Sequence, residues 1–220
     1  MTSARQNILA RLQAVKTGML KQLSPKPVAK QIDSALEVFS RSLEQNHAEV
    51  LQVDQRHLPA TLEQLLQKKA IHSLITTEEF AYLTSVKQLE VVSATKAKAL
   101  NKDDLFYQVD AGLTLAKFGI AETGSLVLWL DQHQPRSISL VPPIHICVLY
   151  ADNLYPTFAE FISSMNMYCS GVLPTNVVLV SGPSKTADIQ QTLAYGAHGP
   201  KQLIVLIVNP ESDLTTAFGS

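Results

Sequence analysis

The sequence predicts an α/β protein: a mixed, largely parallel sheet flanked by helices, with an N-terminal helical attachment. Three observations predict it. From Ala48 onward, apolar runs of strand length alternate with amphipathic or polar stretches of helix length. One pair of runs is joined by a link too short for a parallel crossover, so part of the pairing is antiparallel. Two helical patterns precede the alternation and are set apart by prolines. The expected organisation is an attachment over residues 1–46 and an α/β domain over 47–220.

Ser3 to Val15 reads as an amphipathic helix, because Ile8, Leu9, Leu12 and Val15 share a face and Ser3 with Gln6 suits a capping box. Leu23 to Pro27 interrupts it with two prolines. A second helix is expected from about Val28 to Gln45, carrying Val28, Ile32, Ala35, Leu36, Phe39 and Leu43 at helical spacing. The two helices would pack on the main domain or on another copy of the chain in a homo-oligomer.

The strand-length runs are Val50 to Val53, Ile71 to Thr76, Leu89 to Ser93, Phe118 to Leu130, Ile144 to Tyr150, Val177 to Val180 and Leu203 to Val208. Helix candidates between them are Leu58 to Ala70, Asn153 to Met167 and Lys185 to Tyr195. Alternation of this kind favours parallel strands covered by helices on both faces. Within Phe118 to Leu130, the sequence Glu122-Thr123-Gly124-Ser125 marks a hairpin.

Composition narrows the function. The chain has 220 residues, 46% hydrophobic and 17% charged, with a formal net charge of -1, which gives no basic field for a phosphate backbone. Nucleic acid is therefore not an expected partner. The N-terminal apolar residues are broken by Arg5, Gln6, Arg11 and Gln13, and no run approaches a membrane span, so the expected location is cytoplasmic. The two cysteines, Cys147 and Cys169, have no C-x-x-C spacing. No metal site and no cofactor held by this chain is expected. Cys147, inside an apolar run, reads as a buried inert thiol.

Two turns concentrate residues suited to a ligand. Ser181-Gly182-Pro183-Ser184-Lys185-Thr186-Ala187-Asp188 follows the run Val177 to Val180 and precedes the expected helix. Gly182 permits a sharp turn or close approach, Pro183 stiffens it, Ser184 and Thr186 offer hydroxyls, and Lys185 a mobile charge. A helix starting there would add free N–H groups and its dipole. Ser184 stands where a Walker motif needs glycine, which disfavours a nucleotide triphosphatase. Asp188 would favour the helix dipole, pair with Lys185, or accept from a ligand hydroxyl; simple capping by Ser184 or Thr186 is the bland alternative.

The second turn, Glu122-Thr123-Gly124-Ser125, sets a carboxylate and two hydroxyls around a glycine. If Phe118 to Ala121 runs parallel to Val177 to Val180, both turns emerge on one edge. Glu122 would then serve as general base or bind hydroxyls, while Lys185 holds an anionic group. An ordinary hairpin tip with a solvated glutamate is the competing reading. His198 follows the expected helix, whose roughly ten residues would carry it about 15 Å away, to the opposite edge. His145 opens the run Ile144 to Tyr150, as a core-edge histidine or a border of the cleft. Arg136 reads as a turn arginine that only a fold-back of Ser137 to Val141 or a neighbouring subunit would bring to a site. His47, His57, His72 and His133 show no ligand spacing.

Four segments in order, Ala121 to Val127, Arg136 with Leu140 to Ile146, Ser181 to Ile189 and Gly196 to Pro200, resemble the lactate-utilisation protein C family, which carries a LUD domain. The resemblance covers about Ala48 to Pro210. It implies a fold like the ribose-phosphate isomerase, glucosamine-phosphate deaminase and coenzyme A transferase group (NagB/RpiA/CoA transferase-like). It also implies work beside two iron-sulfur proteins in a bacterial system that oxidises L-lactate to pyruvate, with the clusters held by those partners. Lys185 replaces a common arginine and Gln190 a common glutamate, the first keeping the charge but losing the bidentate fork. The expected role is an accessory subunit binding a small anionic metabolite or cofactor between the two turns. The alternatives are an independent enzyme acting on a sugar phosphate or acyl-coenzyme A with Glu122 as base or nucleophile, and a non-catalytic metabolite sensor.

Overall fold

The computed structural model describes residues 29–94, 108–168, 176–187, 193–195 and 199–210. The expected helix Ser3 to Val15, together with Cys169, Asp188, Gln190 and His198, lies outside these residues.

Six parallel strands form the main sheet: β1 (Glu49–Asp54), β2 (Ser73–Thr76), β3 (Glu90–Ser93), β4 (Ala111–Leu115), β7 (Ile144–Tyr150) and β12 (Gln202–Asn209), in the order β1-β12-β7-β4-β2-β3. The antiparallel pairing expected from the Glu122 hairpin belongs to a separate four-stranded sheet. That sheet has the order β8-β5-β6-β9, from β5 (Phe118–Ile120), β6 (Ser125–Leu130), β8 (Leu154–Tyr155) and β9 (Asn176–Val180).

The two sheets stack through an apolar core. Cys147, Leu149, Leu203, Val205 and Ile207 of the large sheet meet Leu126, Leu128 and Leu130 of the small one. Strand alternation puts Ile146, Val148, Ile204 and Leu206 on the other face. There Leu58, Leu62, Leu65 and Leu66 of a helix at Leu58–Lys68 cover them. Another helix, Phe158–Tyr168, covers the outer face of the small sheet through Phe161 and Ile162.

Helix α1 (Ala29–Gln45) is part of this core. Phe39 and Leu43 are fully buried between the sheets, as the spacing of apolar residues on one face predicts. The chain reverses after it at His47 (φ 68) and enters β1.

Three elements differ from the sequence expectation. The expected helix Asn153 to Met167 begins only at Phe158, because Leu154–Tyr155 is strand β8, paired with β5. Lys185 to Tyr195 is not a helix: β10 (Lys185–Ala187) pairs antiparallel with β11 (Leu193–Tyr195). Thr186 and Tyr195 favour extended backbone, and the Ser184 N–H donates to the Pro200 carbonyl at 2.8 Å, drawing the two ends of the segment together. Strand β4 has no counterpart among the expected runs, because Gly112 and Thr114 interrupt its apolar pattern. Gly112 is nonetheless needed there: a Cβ would collide with the Ile138 carbonyl of a short helix, Ser137–Leu140, which folds back onto the sheet.

Candidate functional site

Strands β5 and β9 are both antiparallel to β6, so they point the same way. Ile120 pairs with Ser125, and Leu126 with Val180, which brings the Glu122 and Ser181 turns out at one rim. Hydroxyls join them: Thr123 Oγ1 lies 2.7 Å from Ser125 Oγ, which lies 2.7 Å from Ser181 Oγ. Because β1 begins just after α1, and Leu203 and His145 stand at the starts of β12 and β7, this is the amino rim of the parallel sheet.

The carboxyl end of α1 packs against both turns. Gly124 adopts φ +57, and a Cβ on it would sit 2.6 Å from Ser42 Cβ, so glycine meets two demands at once. A Cβ on Gly182 would stand 2.9 Å from the Asn46 carbonyl. Glu122 is exposed and its Oε2 accepts the Phe158 N–H at 3.0 Å, satisfying a donor in the first turn of the helix Phe158–Tyr168. In this arrangement the glycines bring backbone against backbone, and Glu122 caps a helix.

A cavity of about 200 Å³ lies on the other side of the Ser181 turn. Ser181, Gly182, Ser184, His145, Ser139 and Gly199 supply its polar and backbone edges, while Val178, Val180, Leu140 and Leu203 give it apolar walls. Thr123, Gly124 and Ser125 do not line it. Pro183 is buried within the turn, and Lys185 is exposed in β10, next to Ser184. Thr186 follows in the same strand. Arg136 is exposed one residue before the helix Ser137–Leu140 and does not line the cavity, although the fold-back of that helix brings Ser139 and Leu140 to it.

Gly199 and Pro200, expected beside His198 at the opposite edge, border the same cavity as Ser181. Strand β10 pairs antiparallel with β11, and the Ser184 N–H meets the Pro200 carbonyl. The free N–H groups and dipole expected of a helix at Lys185 are accordingly not part of this site.

His145 is 1% exposed, and its Nε2 lies 2.8 Å from Thr114 Oγ1, itself buried. Burial pushes its pKa from 6.5 down to about 3, so the imidazole is neutral at ordinary pH. Cys147, buried beyond Thr114, has its thiol pushed up to about 12, chiefly by desolvation. It is the inert thiol its apolar surroundings predict. Among the described residues, no three His, Cys, Asp or Glu side chains are grouped to hold a metal ion. None of their helices is long and apolar enough to cross a membrane.

Two stacked sheets, with two helix-backed turns at one rim and a small cavity beside the Ser181 turn, define an α/β protein. The chain belongs to the LUD domain family, which matches residues 36–208, beginning inside α1. It is similar to an uncharacterized protein of Neisseria meningitidis serogroup B, 47% identical over 110 residues, a match spanning 50% of this chain and 47% of that protein. It is also similar to lactate utilization protein C of Macrococcus caseolyticus, 27% identical over 182 residues, spanning 80% of this chain and 79% of the relative. Lactate utilization protein C of Halalkalibacterium halodurans is 28% identical over 185 residues, spanning 80% of each. The crystal structure of a DUF162 family protein from Deinococcus radiodurans shares the fold, with a TM-score of 0.62 at 22% identity over 83% of this chain and 99% of that one.

Proposed function

We propose that this chain is a cytoplasmic accessory component of a bacterial iron-sulfur system that oxidises L-lactate to pyruvate, holding a small anionic metabolite or cofactor in the His145 cavity. Relatives similar along four-fifths of the chain carry the name lactate utilization protein C. With two cysteines in all, the chain falls short of the four thiolates that usually hold a cluster, which supports two iron-sulfur proteins as partners.

The observation that carries the binding role is the chemistry of the cavity wall. Its volume of about 200 Å³ is below the roughly 300–1,000 Å³ of sites for drug-sized ligands, which suits a molecule the size of lactate or pyruvate. Its lining offers serine hydroxyls and a neutral imidazole. In the tautomer in which Thr114 donates to Nε2, the ring proton sits on Nδ1, a donor suited to a carboxylate. A ring held at a pKa of about 3 accepts protons poorly near neutrality, so His145 is suited to orienting a ligand rather than to general base work. The Glu122 carboxylate, engaged with Phe158, gives no support to an independent acid-base enzyme.

A strain lacking this chain should fail to grow on L-lactate while growing normally on pyruvate, and the tagged chain should recover two iron-sulfur proteins. Undiminished growth and lactate-dependent electron transfer in the deletion strain would contradict the proposal.

A further inference from the structure

Behind His145 runs a short buried chain of polar groups, and the order of its protons decides what the cavity can hold. In β7, His145 and Cys147 are two residues apart and so share the face of the large sheet that meets the small one. In β4, Gly112 stands opposite His145 and Thr114 opposite Cys147. Gly112 offers no side chain, and the imidazole meets Thr114 on the diagonal, with Nε2 2.8 Å from Oγ1. All three side chains, His145, Thr114 and Cys147, are buried. Among the described residues Nδ1 has no hydrogen-bond partner, and it belongs to a side chain that lines the cavity.

Thr114 has one hydroxyl proton and two side-chain neighbours, the imidazole and the Cys147 thiol. In one order the thiol donates to Oγ1, the hydroxyl donates to Nε2, and the ring proton sits on Nδ1. In the reverse order Nε2–H donates to Oγ1, the hydroxyl donates to sulfur, and Nδ1 carries a lone pair. Three facts favour the first. Sulfur is a weak acceptor and an imidazole nitrogen a better one, so the hydroxyl proton gains more at Nε2. Burial pushes the thiol up to about 12, so the sulfur keeps a proton to donate. The reverse order would turn that proton toward the Val148 carbonyl, 3.9 Å from the sulfur and already accepting the Ala116 N–H at 2.8 Å.

We propose that Thr114 is a positioning residue of the His145 cavity: by donating to Nε2 it fixes the ring proton on Nδ1, so that the cavity presents a donor and takes the carboxylate of a small hydroxy or oxo acid. This rests on the binding role given to that cavity above. Thr114 does not line the cavity and acts on a ligand only through the imidazole. A hydrogen bond to a carboxylate is roughly twice as strong as one to a neutral oxygen, so the same donor selects the acid over the corresponding alcohol.

Long-range nitrogen–proton NMR correlation on the full chain reads the ring tautomer before any ligand is added. A protonated Nδ1 and an unprotonated Nε2 are expected at neutral pH. Thr114→Val, close in shape, should release the ring to exchange between tautomers, and Thr114→Ser should restore the native pattern. Pyruvate and L-lactate are then titrated beside propylene glycol, which carries a hydroxymethyl group in place of the lactate carboxylate. Thr114→Val should weaken both acids about tenfold and narrow their advantage over the glycol, with Thr114→Ser recovering the affinity and circular dichroism confirming that the variants fold. The native tautomer tests the proposal even where a variant fails to fold. A native ring protonated on Nε2, or a tautomer or acid affinity that Thr114→Val leaves unchanged, would overturn the inference and leave the binding role of the cavity standing. A ring protonated on Nδ1 in a chain that binds neither acid would overturn that binding role and the inference with it.

Discussion

The two rims of the parallel sheet are built by opposite means. At the amino rim, glycine and hydroxyl residues cluster in sequence, and much of what they do is mutual packing: Gly124 and Gly182 admit the end of α1, Thr123, Ser125 and Ser181 bond to one another, and Glu122 holds a helix start. The cavity there borders only the Ser181 turn. At the carboxyl rim, Glu79, Leu115, Lys117 and Trp129 come from separated segments with no motif, and the diverging connections after β2 and β4 bring them around a crevice. A dense motif thus marks where backbone must approach backbone, whereas an open crevice follows from topology.

That contrast is most severely tested at α1, the element that props the amino rim. Phe39→Ala should lower unfolding stability by about 3–5 kcal/mol, since the ring is fully buried between the sheets. Urea denaturation measures it, and a loss below about 1 kcal/mol would mean that α1 is a dispensable attachment. At the turn, Gly124→Ala should cost about 2 kcal/mol, from the left-handed backbone and the contact with Ser42. Glu79→Gln at the other rim should change stability by less than about 0.5 kcal/mol. Similar losses in the two variants, read by the same denaturation, would erase the distinction between rims.

The pH dependence sharpens the account of the amino rim. His145 is depressed from 6.5 to about 3 in the folded chain, so between those values the unfolded chain takes up a proton that the folded one refuses. Stability should therefore fall as pH drops through that window, by roughly 1 kcal/mol per pH unit from this residue, with no contribution above it. Comparing the native chain with His145→Gln isolates the effect: the variant should lose that part of the slope. An unchanged slope would show the imidazole to be solvated or charged in the folded protein.

How far the sequence was legible follows from the same physics. Strands β7 and β12 stand out because buried strands are continuous apolar runs, β1 and β9 as shorter, partly exposed apolar runs, and the helices at Leu58–Lys68 and Phe158–Tyr168 because their faces repeat. Strand β4 is hidden by Gly112 and Thr114, whose small or polar side chains serve the fold-back of Ile138 and the bond to His145. Lys185 to Tyr195 misleads because periodicity cannot register a long-range bond such as Ser184 to Pro200. The division into two sheets is equally silent, since alternation gives a strand's faces and not its partners. The convergence of the Glu122 and Ser181 turns was legible only on the condition that the strands before them run the same way, which their common pairing with β6 meets. The cavity beside them was not, because Ser139 and Gly199 reach it only through those misread or unread segments.

The most direct test of the central claim follows the His145 imidazole by nitrogen NMR while L-lactate and pyruvate are added to the full chain. A saturable shift of its ring nitrogens, with the ring still neutral and a stabilisation of about 2.7 kcal/mol at one hundred times the dissociation constant, is the expected result. Ring signals that stay fixed while either compound stabilises the fold would contradict it.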